Sequence, residues 1–290
     1  MKKLPFLLCT LTAVCALTPF NSTAAATGIG PSFKGPIGLQ LYSLRAQFTK
    51  NVPETMAVVH GFGVKEVELA GTYNLSPEKF NELLKANKLQ AISGHFAFER
   101  YRDDAEGVAK EAHALGLKYA GIAWIPHGAD FTEADLKSAV EVFNKAGEVL
   151  SKHGIKFFYH CHGYEYAPYN GGTFMDALIK QTDPKTVAFQ MDVFWVVFPG
   201  QDPAKWLEKY PGRWELMHVK DMKKGVKTGE FTGKTDVNND VALGTGQMDW
   251  SSILKAAKKS GVKHYFIEDE SASSVEQIPQ SLKFLETVKW

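Results

Sequence analysis

Gly154-Ile155-Lys156-Phe157-Phe158-Tyr159-His160-Cys161-His162-Gly163-Tyr164-Glu165 is the stretch that decides how the chain is read. Its first half is a short apolar run, as expected of a buried strand. Ligand-capable side chains then crowd onto its last residues. Alternate residues of a strand share a face, so His160 and His162 point one way and Cys161 the other. Cys161 is accordingly read as a small buried hydrophobe, not a nucleophile. Glu165 stands just past the strand, at the start of the following loop.

The same order, an apolar strand followed by acids and imidazoles, returns three times downstream. Residues 187–192 end in Asp192. Residues 215–221 carry His218, Lys220 and Asp221. Residues 264–268 end in Glu268, with Asp269 and Glu270 beyond it. Upstream, apolar runs at 37–42, 66–70, 89–94 and 119–125 read as four further strands. Amphipathic stretches separate them. One opens near Pro53. Another opens at Ser76-Pro77, an N-cap followed by a first-turn proline. A third covers about 103–115, and a fourth starts at Thr132-Glu133-Ala134-Asp135, which has the form of a capping box. Further helices are expected over 172–180, from Pro203, over 250–260 behind Asp249, and over 274–288. Strand–helix alternation predicts a parallel sheet. Eight such units in roughly 250 residues predict a closed (β/α)₈ TIM barrel. No glycine fingerprint follows the first strand, where Ser43-Leu44-Arg45 stands, which argues against an open nucleotide-binding sheet.

The first 26 of the 290 residues are expected to be removed. Met1-Lys2-Lys3 is basic, an apolar run follows, and Ala24-Ala25-Ala26 ends in small residues, the pattern of an export signal. Residues 27–290 then form one barrel domain, exported and periplasmic, without a membrane span. Loss of Lys2 and Lys3 takes the formal charge from +1 to −1. That leaves no electrostatic footprint for nucleic acid. Cys161 is the one cysteine left, so no internal disulfide is expected.

In a barrel of this kind the active site gathers at the C-terminal strand ends. Four consecutive strands would deliver acids and imidazoles to one rim, where like charges repel. A divalent cation resolves that. A set of three carboxylates and one imidazole suits Mn²⁺, Mg²⁺ or Co²⁺ better than a closed zinc site, with zinc as the remaining candidate. Glu68 and His95, at the ends of strands two and three, either line the pocket or pack beside it. Trp124, His127, Phe194, Trp195 and Phe198 lie near the same rim, where aromatic faces stack on sugar rings or simply pack. The long polar loop 222–248 is either a lid or a subunit contact, and homo-oligomerisation stays open.

The chain resembles the sugar isomerase/epimerase superfamily with its xylose-isomerase-like barrel. The resemblance rests on Gln40-Leu41-Tyr42-Ser43, on His160-Cys161-His162 with Glu165, on Asp192, and on His218 with Lys220 and Asp221. It also rests on Glu268 and on the run Gly244-Thr245-Gly246-Gln247-Met248-Asp249-Trp250. It implies a metal held by Glu165, Asp192, His218 and Glu268. It implies Glu165 and Glu268 as base and acid on opposite sides of a substrate carbon, with an enediolate between them. Lys220 would stabilise the developing oxyanion, and His160 and His162 would hydrogen-bond sugar hydroxyls or orient Glu165; Glu68, His95 and Trp195 are, by their place at the rim, the further candidate sugar contacts. The expected activity is a metal-dependent isomerase or epimerase on a free, unphosphorylated sugar. The alternatives are a 3-keto-glycoside lyase or hydrolase on the same site and a non-catalytic exported sugar-binding protein. An abasic-site endonuclease on the same barrel is disfavoured by the charge.

Overall fold

A computed structural model describes residues 26–290; the expected export segment, 1–26, falls outside the described residues except for Ala26. Eight parallel strands close into a barrel: β1 (Ile37–Gln40), β2 (Glu66–Leu69), β3 (Gln90–His95), β4 (Tyr119–Ile122), β5 (Lys156–His160), β6 (Val187–Asp192), β7 (Trp214–Val219) and β8 (His264–Ile267). Each pairs with its sequence neighbours, and β8 pairs with β1 to close the ring. The main outer helices are α1 (Val52–Gly61), α2 (Pro77–Ala86), α3 (Phe98–Ala114), α4 (Glu133–Lys152), α5 (Phe174–Gln181), α6 (Pro203–Lys209), α7 (Trp250–Ser260) and α8 (Ser274–Thr287).

Local chemistry sets the helix ends. The Ser76 hydroxyl accepts from the Lys79 amide at the head of α2. Thr132 and Asp135 form a reciprocal capping box on α4, and Thr173 and Asp176 form another on α5. Helix α3 starts earlier than expected, at Phe98, because two segments are joined across Asp104 (φ −146°, ψ 62°). Asp104 caps the second segment by accepting from the Gly107 amide at 2.9 Å. The start expected near Asp103 is therefore an internal joint.

Five strands end before their expected runs do, whereas β6 ends at Asp192 as expected and β3 runs on to His95. Tyr42, Ala70, Ile125 and Glu268 leave the sheet and become the first residues of the rim loops. Inside the barrel, Ile92, Tyr119, Phe158, Ala188, Leu216 and Phe266 form an apolar plug. Two residues further along their strands, on the same face, stand His160, Gln190 and His218, and Glu268 follows in the same way just beyond β8. Hydrophobic packing below thus fixes the height of a polar layer above.

The loop after β7 is anchored at Asp221. Its carboxylate accepts from the amides of Met222, Gly244, Gly246 and Met248 and from the Trp250 indole. A Cβ on Gly246 would lie 2.2 Å from Asp221 Oδ1, so only glycine allows this clasp. The glycine run and Asp221 are one structural device, and Asp221 faces the loop it holds. Residues Asp221–Met222 and Asp240–Val241 form a short antiparallel ladder across the loop's neck.

Candidate metal centre

Four side chains converge at the C-terminal rim. His160 Nε2 lies 3.1 Å from His218 Nδ1 and 3.3 Å from Asp192 Oδ2. His218 Nδ1 lies 3.1 Å from Glu268 Oε2 and 3.6 Å from Asp192 Oδ2. All four ligand atoms fall within 4.8 Å of one another, and all four residues are buried. Ligands about 2.1 Å from one ion would stand about 3.0 Å apart on an octahedral edge and about 3.4 Å apart on a tetrahedral one. The observed separations match that spacing, so the residues fit a single divalent ion.

The electrostatics agree. Burial alone would discharge His218, but Glu268 and Glu68 hold its proton well above the usual imidazole range. Burial would likewise raise the Asp192 and Glu268 carboxyls. Hydrogen bonds from His160 and His218 lower Asp192, and the charges of Lys220 and His218 lower Glu268, so both lie below the carboxylate range. The group is organised to hold positive charge at its centre.

Glu165 is outside this group, which corrects the expected ligand set. Gly163 (φ +100°) turns the chain sharply after β5, and its Cβ position lies 3.3 Å from the Trp195 carbonyl. The turn directs Glu165 inward, where its carboxylate accepts from the Tyr159 hydroxyl and, at 2.8 Å, from the His162 amide. His160 stands in its place. The donor set becomes two imidazoles and two carboxylates, softer than the three-carboxylate set expected, and more open to zinc. Glu165 likewise does not border the cavity as an acid or base.

Glu68 is also corrected. It is fully buried and does not reach the cavity; it accepts from Gln40 Nε2 (2.6 Å), Ser93 Oγ and Gln190 Nε2 (2.8 Å) and pairs with His218 Nε2. Burial would raise its carboxyl, but His95 and His218 lower it to about 2. An ionised carboxylate behind a ligand imidazole fixes the ring's orientation and basicity. Gln40, which the sequence offered only as part of the Gln40-Leu41-Tyr42-Ser43 motif, completes that support together with Ser93 and Gln190, neither of which was singled out. Gln190 was findable, since it precedes Asp192 by two residues on the same strand face.

The remaining site residues line a cavity of about 630 Å³: His95, His160, His162, Trp195, Lys220 and Glu268 all border it. Burial keeps His95 neutral, with its ring lowered to about 4, and lowers His162 to about 3. The Trp195 indole stacks on His162, with ring centres 4.7 Å apart. Lys220 Nζ lies 2.6 Å from Glu270, 3.4 Å from Glu268 and 3.5 Å from Asp240. Burial would discharge it, yet Asp240, Glu268 and Glu270 keep it charged well above its usual range. Asp240 gave no signal in the sequence because it lies in the middle of a polar loop. Gly233, Lys234, Thr235 and Val237 of that loop wall the cavity, so the loop covers the site.

Residues 57–288 match the family described as the xylose isomerase-like TIM barrel. The chain is 23% identical over 252 residues to an inosose dehydratase of Clostridium botulinum, covering 73% of this chain and 80% of that one. It spans about half the length of several other inosose dehydratases, 47% for that of Geobacillus thermodenitrificans. A sugar phosphate isomerase/epimerase structure from Parabacteroides distasonis superimposes with a TM-score of 0.74 at 24% identity, over 91% of this chain and 99% of that one. An IOLI protein with a bound zinc atom shares the fold (TM-score 0.66, 14% identity, 85% of this chain and 95% of that one). By fold, strand order and family match, the chain belongs to the xylose isomerase-like TIM barrel family.

Proposed function

We propose that the protein is a divalent-metal-dependent enzyme that removes the proton beside the carbonyl of a keto-sugar or keto-polyol and completes the reaction by β-elimination. The observation that carries this reading is the separation of the two glutamates. Glu268 joins His160, Asp192 and His218 at the cavity floor. Glu165 is sequestered by Tyr159 and the His162 amide. Epimerisation by paired carboxylates needs one on each side of the reacting carbon, and here one of the pair is withdrawn. A likeness to inosose dehydratases supports the same direction.

The ion held by His160, Asp192, His218 and Glu268 would supply Lewis-acid polarisation of the substrate carbonyl. Zinc, manganese and cobalt suit the mixed donor set, and the zinc in the IOLI protein supports the first. Glu268 stays ionised, and its Oε1 makes no hydrogen bond among the described residues, so this oxygen accepts the proton from carbon. The Lys220 ammonium, 3.4 Å from Glu268, neutralises the oxygen on which charge develops. The electron pair then forms the carbon–carbon double bond, the β carbon–oxygen bond breaks, and Glu268 returns the proton to the departing oxygen. Trp195 and the covering loop limit water access.

The test is incubation of the metal-loaded protein with keto-sugars and keto-inositols in D₂O. The reading requires deuterium uptake beside the carbonyl and an unsaturated product; Asp192→Ala should abolish both. A saturated isomer as the only product assigns isomerisation instead, and absence of exchange with every candidate removes proton abstraction.

A further inference from the structure

Away from the metal centre, at the opposite end of the barrel, the first described residues pack against the last turn of α8. The Thr27 amide donates to Glu286 Oε1 at 2.6 Å, and the Thr27 hydroxyl donates to the same oxygen at 3.1 Å. The chain then runs flat along that turn. A Cβ on Gly30 would lie 2.2 Å from the Glu286 carbonyl oxygen, so only glycine passes there. Phe33 is buried and meets the Tyr265 ring edge-on, with centres 5.1 Å apart. The Trp290 amide donates to Ser32 Oγ at 3.4 Å. Residues 27–33 therefore belong to the folded barrel, starting from the residue that follows Ala26.

The charge at this helix end has the adverse sign. The free carbonyls of a last helical turn carry partial negative charge and favour a cation. Helix α8 has no basic residue in its last turn and carries Glu286 there instead. Lys283 and Lys289, three residues to either side, pair their side chains with neither Glu286 nor Thr27 among the described residues. A neutral amide at Thr27 offers Glu286 one donor and no charge.

The sequence can supply the missing charge. Ala24 and Ala26 place small residues three and one positions before Thr27, the spacing that a leader peptidase reads. We infer that hydrolysis of the Ala26–Thr27 bond makes the cation that Glu286 holds. The step consumes one water. Its oxygen goes to the Ala26 carbonyl, leaving a carboxylate, and both its hydrogens end on the Thr27 nitrogen as an ammonium. The contact to Glu286 then becomes a charge-assisted hydrogen bond, and a positive charge stands where the helix end favours one. Every contact described above lies on the retained side of the cut. Processing thus completes the fold, pinning the segment that leads to Phe33 from its first atom. The inference is independent of the chemistry at the metal centre.

The test uses the full chain, expressed with its own leader in an exporting bacterium. Intact mass and N-terminal sequencing read the first residue, which should be Thr27. The α-amine is then acetylated with acetic anhydride at stepped pH, and labelling of the N-terminal peptide is timed in wild type and in Glu286→Gln. A free α-amine ordinarily titrates at about 7.7–8.0. A carboxylate partner raises that midpoint, so the wild-type rate profile should be centred about half a pH unit above that of Glu286→Gln, which is about three-fold slower labelling at pH 7. Equal lysine labelling in the rest of the two proteins is the control for folding. A first residue other than Thr27, or an uncut chain, overturns the inference. So do coincident midpoints, including the case in which only the plateau rate differs, since that is steric shielding without a charge pair.

Discussion

At the level of single residues, the site depends on where Gly163 sends the chain. The sequence places His160, His162 and Glu165 within six positions, and side-chain type favours the acid as the ligand. Strand alternation correctly set His160 and His162 against Cys161, whose sulfur meets the Asp192 amide at 3.3 Å. The direction of Glu165 depends on a positive φ and on a tyrosine hydroxyl brought underneath it, neither of which is a property of local pattern. Glu68 illustrates the same limit, since its role depends on Gln40, Ser93 and Gln190 from three other strands. Glu68→Gln should weaken metal binding by about 10- to 100-fold, because His218 loses its orienting carboxylate; a metal titration measures this. The same variant has a pH signature in the metal-free protein. The Glu68 carboxyl is lowered from 4.5 to about 2 when folded. A depressed carboxyl contributes stability above its unfolded value and loses it as pH falls through the folded one. Glu68→Gln should therefore flatten the decline in stability between about pH 4.5 and 2, seen as a shallower acid limb in denaturant titrations at stepped pH.

Among the elements, caps and apolar runs were legible, while strand ends and the long loop were not. Thr132, Asp135, Ser76 and Asp249 read directly as helix starts because capping is a contact between near neighbours. Strand ends are set by pairing with the next strand, so five of the apolar runs overreach by one to three residues, while β3 extends one residue past its run. Thr132→Ala should cost about 1 kcal/mol in chemical denaturation and leave the site unaltered. Gly246→Ala should behave in the opposite way. Its Cβ would collide with Asp221 Oδ1 at 2.2 Å and with the Met222 carbonyl at 2.3 Å, prising the loop off its anchor. Since Asp240 of that loop faces Lys220 at 3.5 Å, turnover should fall by more than ten-fold while α4 and the barrel remain folded. Near-normal turnover in Gly246→Ala would detach the clasp from function.

For the molecule as a whole, eight strand–helix units and their one-rim chemistry were readable because the barrel is built by repetition. The plug of Phe158, Leu216 and Phe266 lies below, and each chain of inward residues ends in a ligand or its support. Coupling between metal and fold follows. An ion at about 100 times its dissociation constant adds about 2.7 kcal/mol of stability, so chelation should lower Tm by roughly 5–10 °C for a chain of this size. Unchanged melting on chelation would deny that the rim group binds an ion in the folded state. The most direct measurement of the central claim is the metal content, by inductively coupled plasma mass spectrometry, of reconstituted wild type, His160→Ala and Glu165→Gln. One ion per chain in wild type and Glu165→Gln, with less than a tenth of that in His160→Ala, is the predicted result. Retention by His160→Ala together with loss in Glu165→Gln would contradict the account.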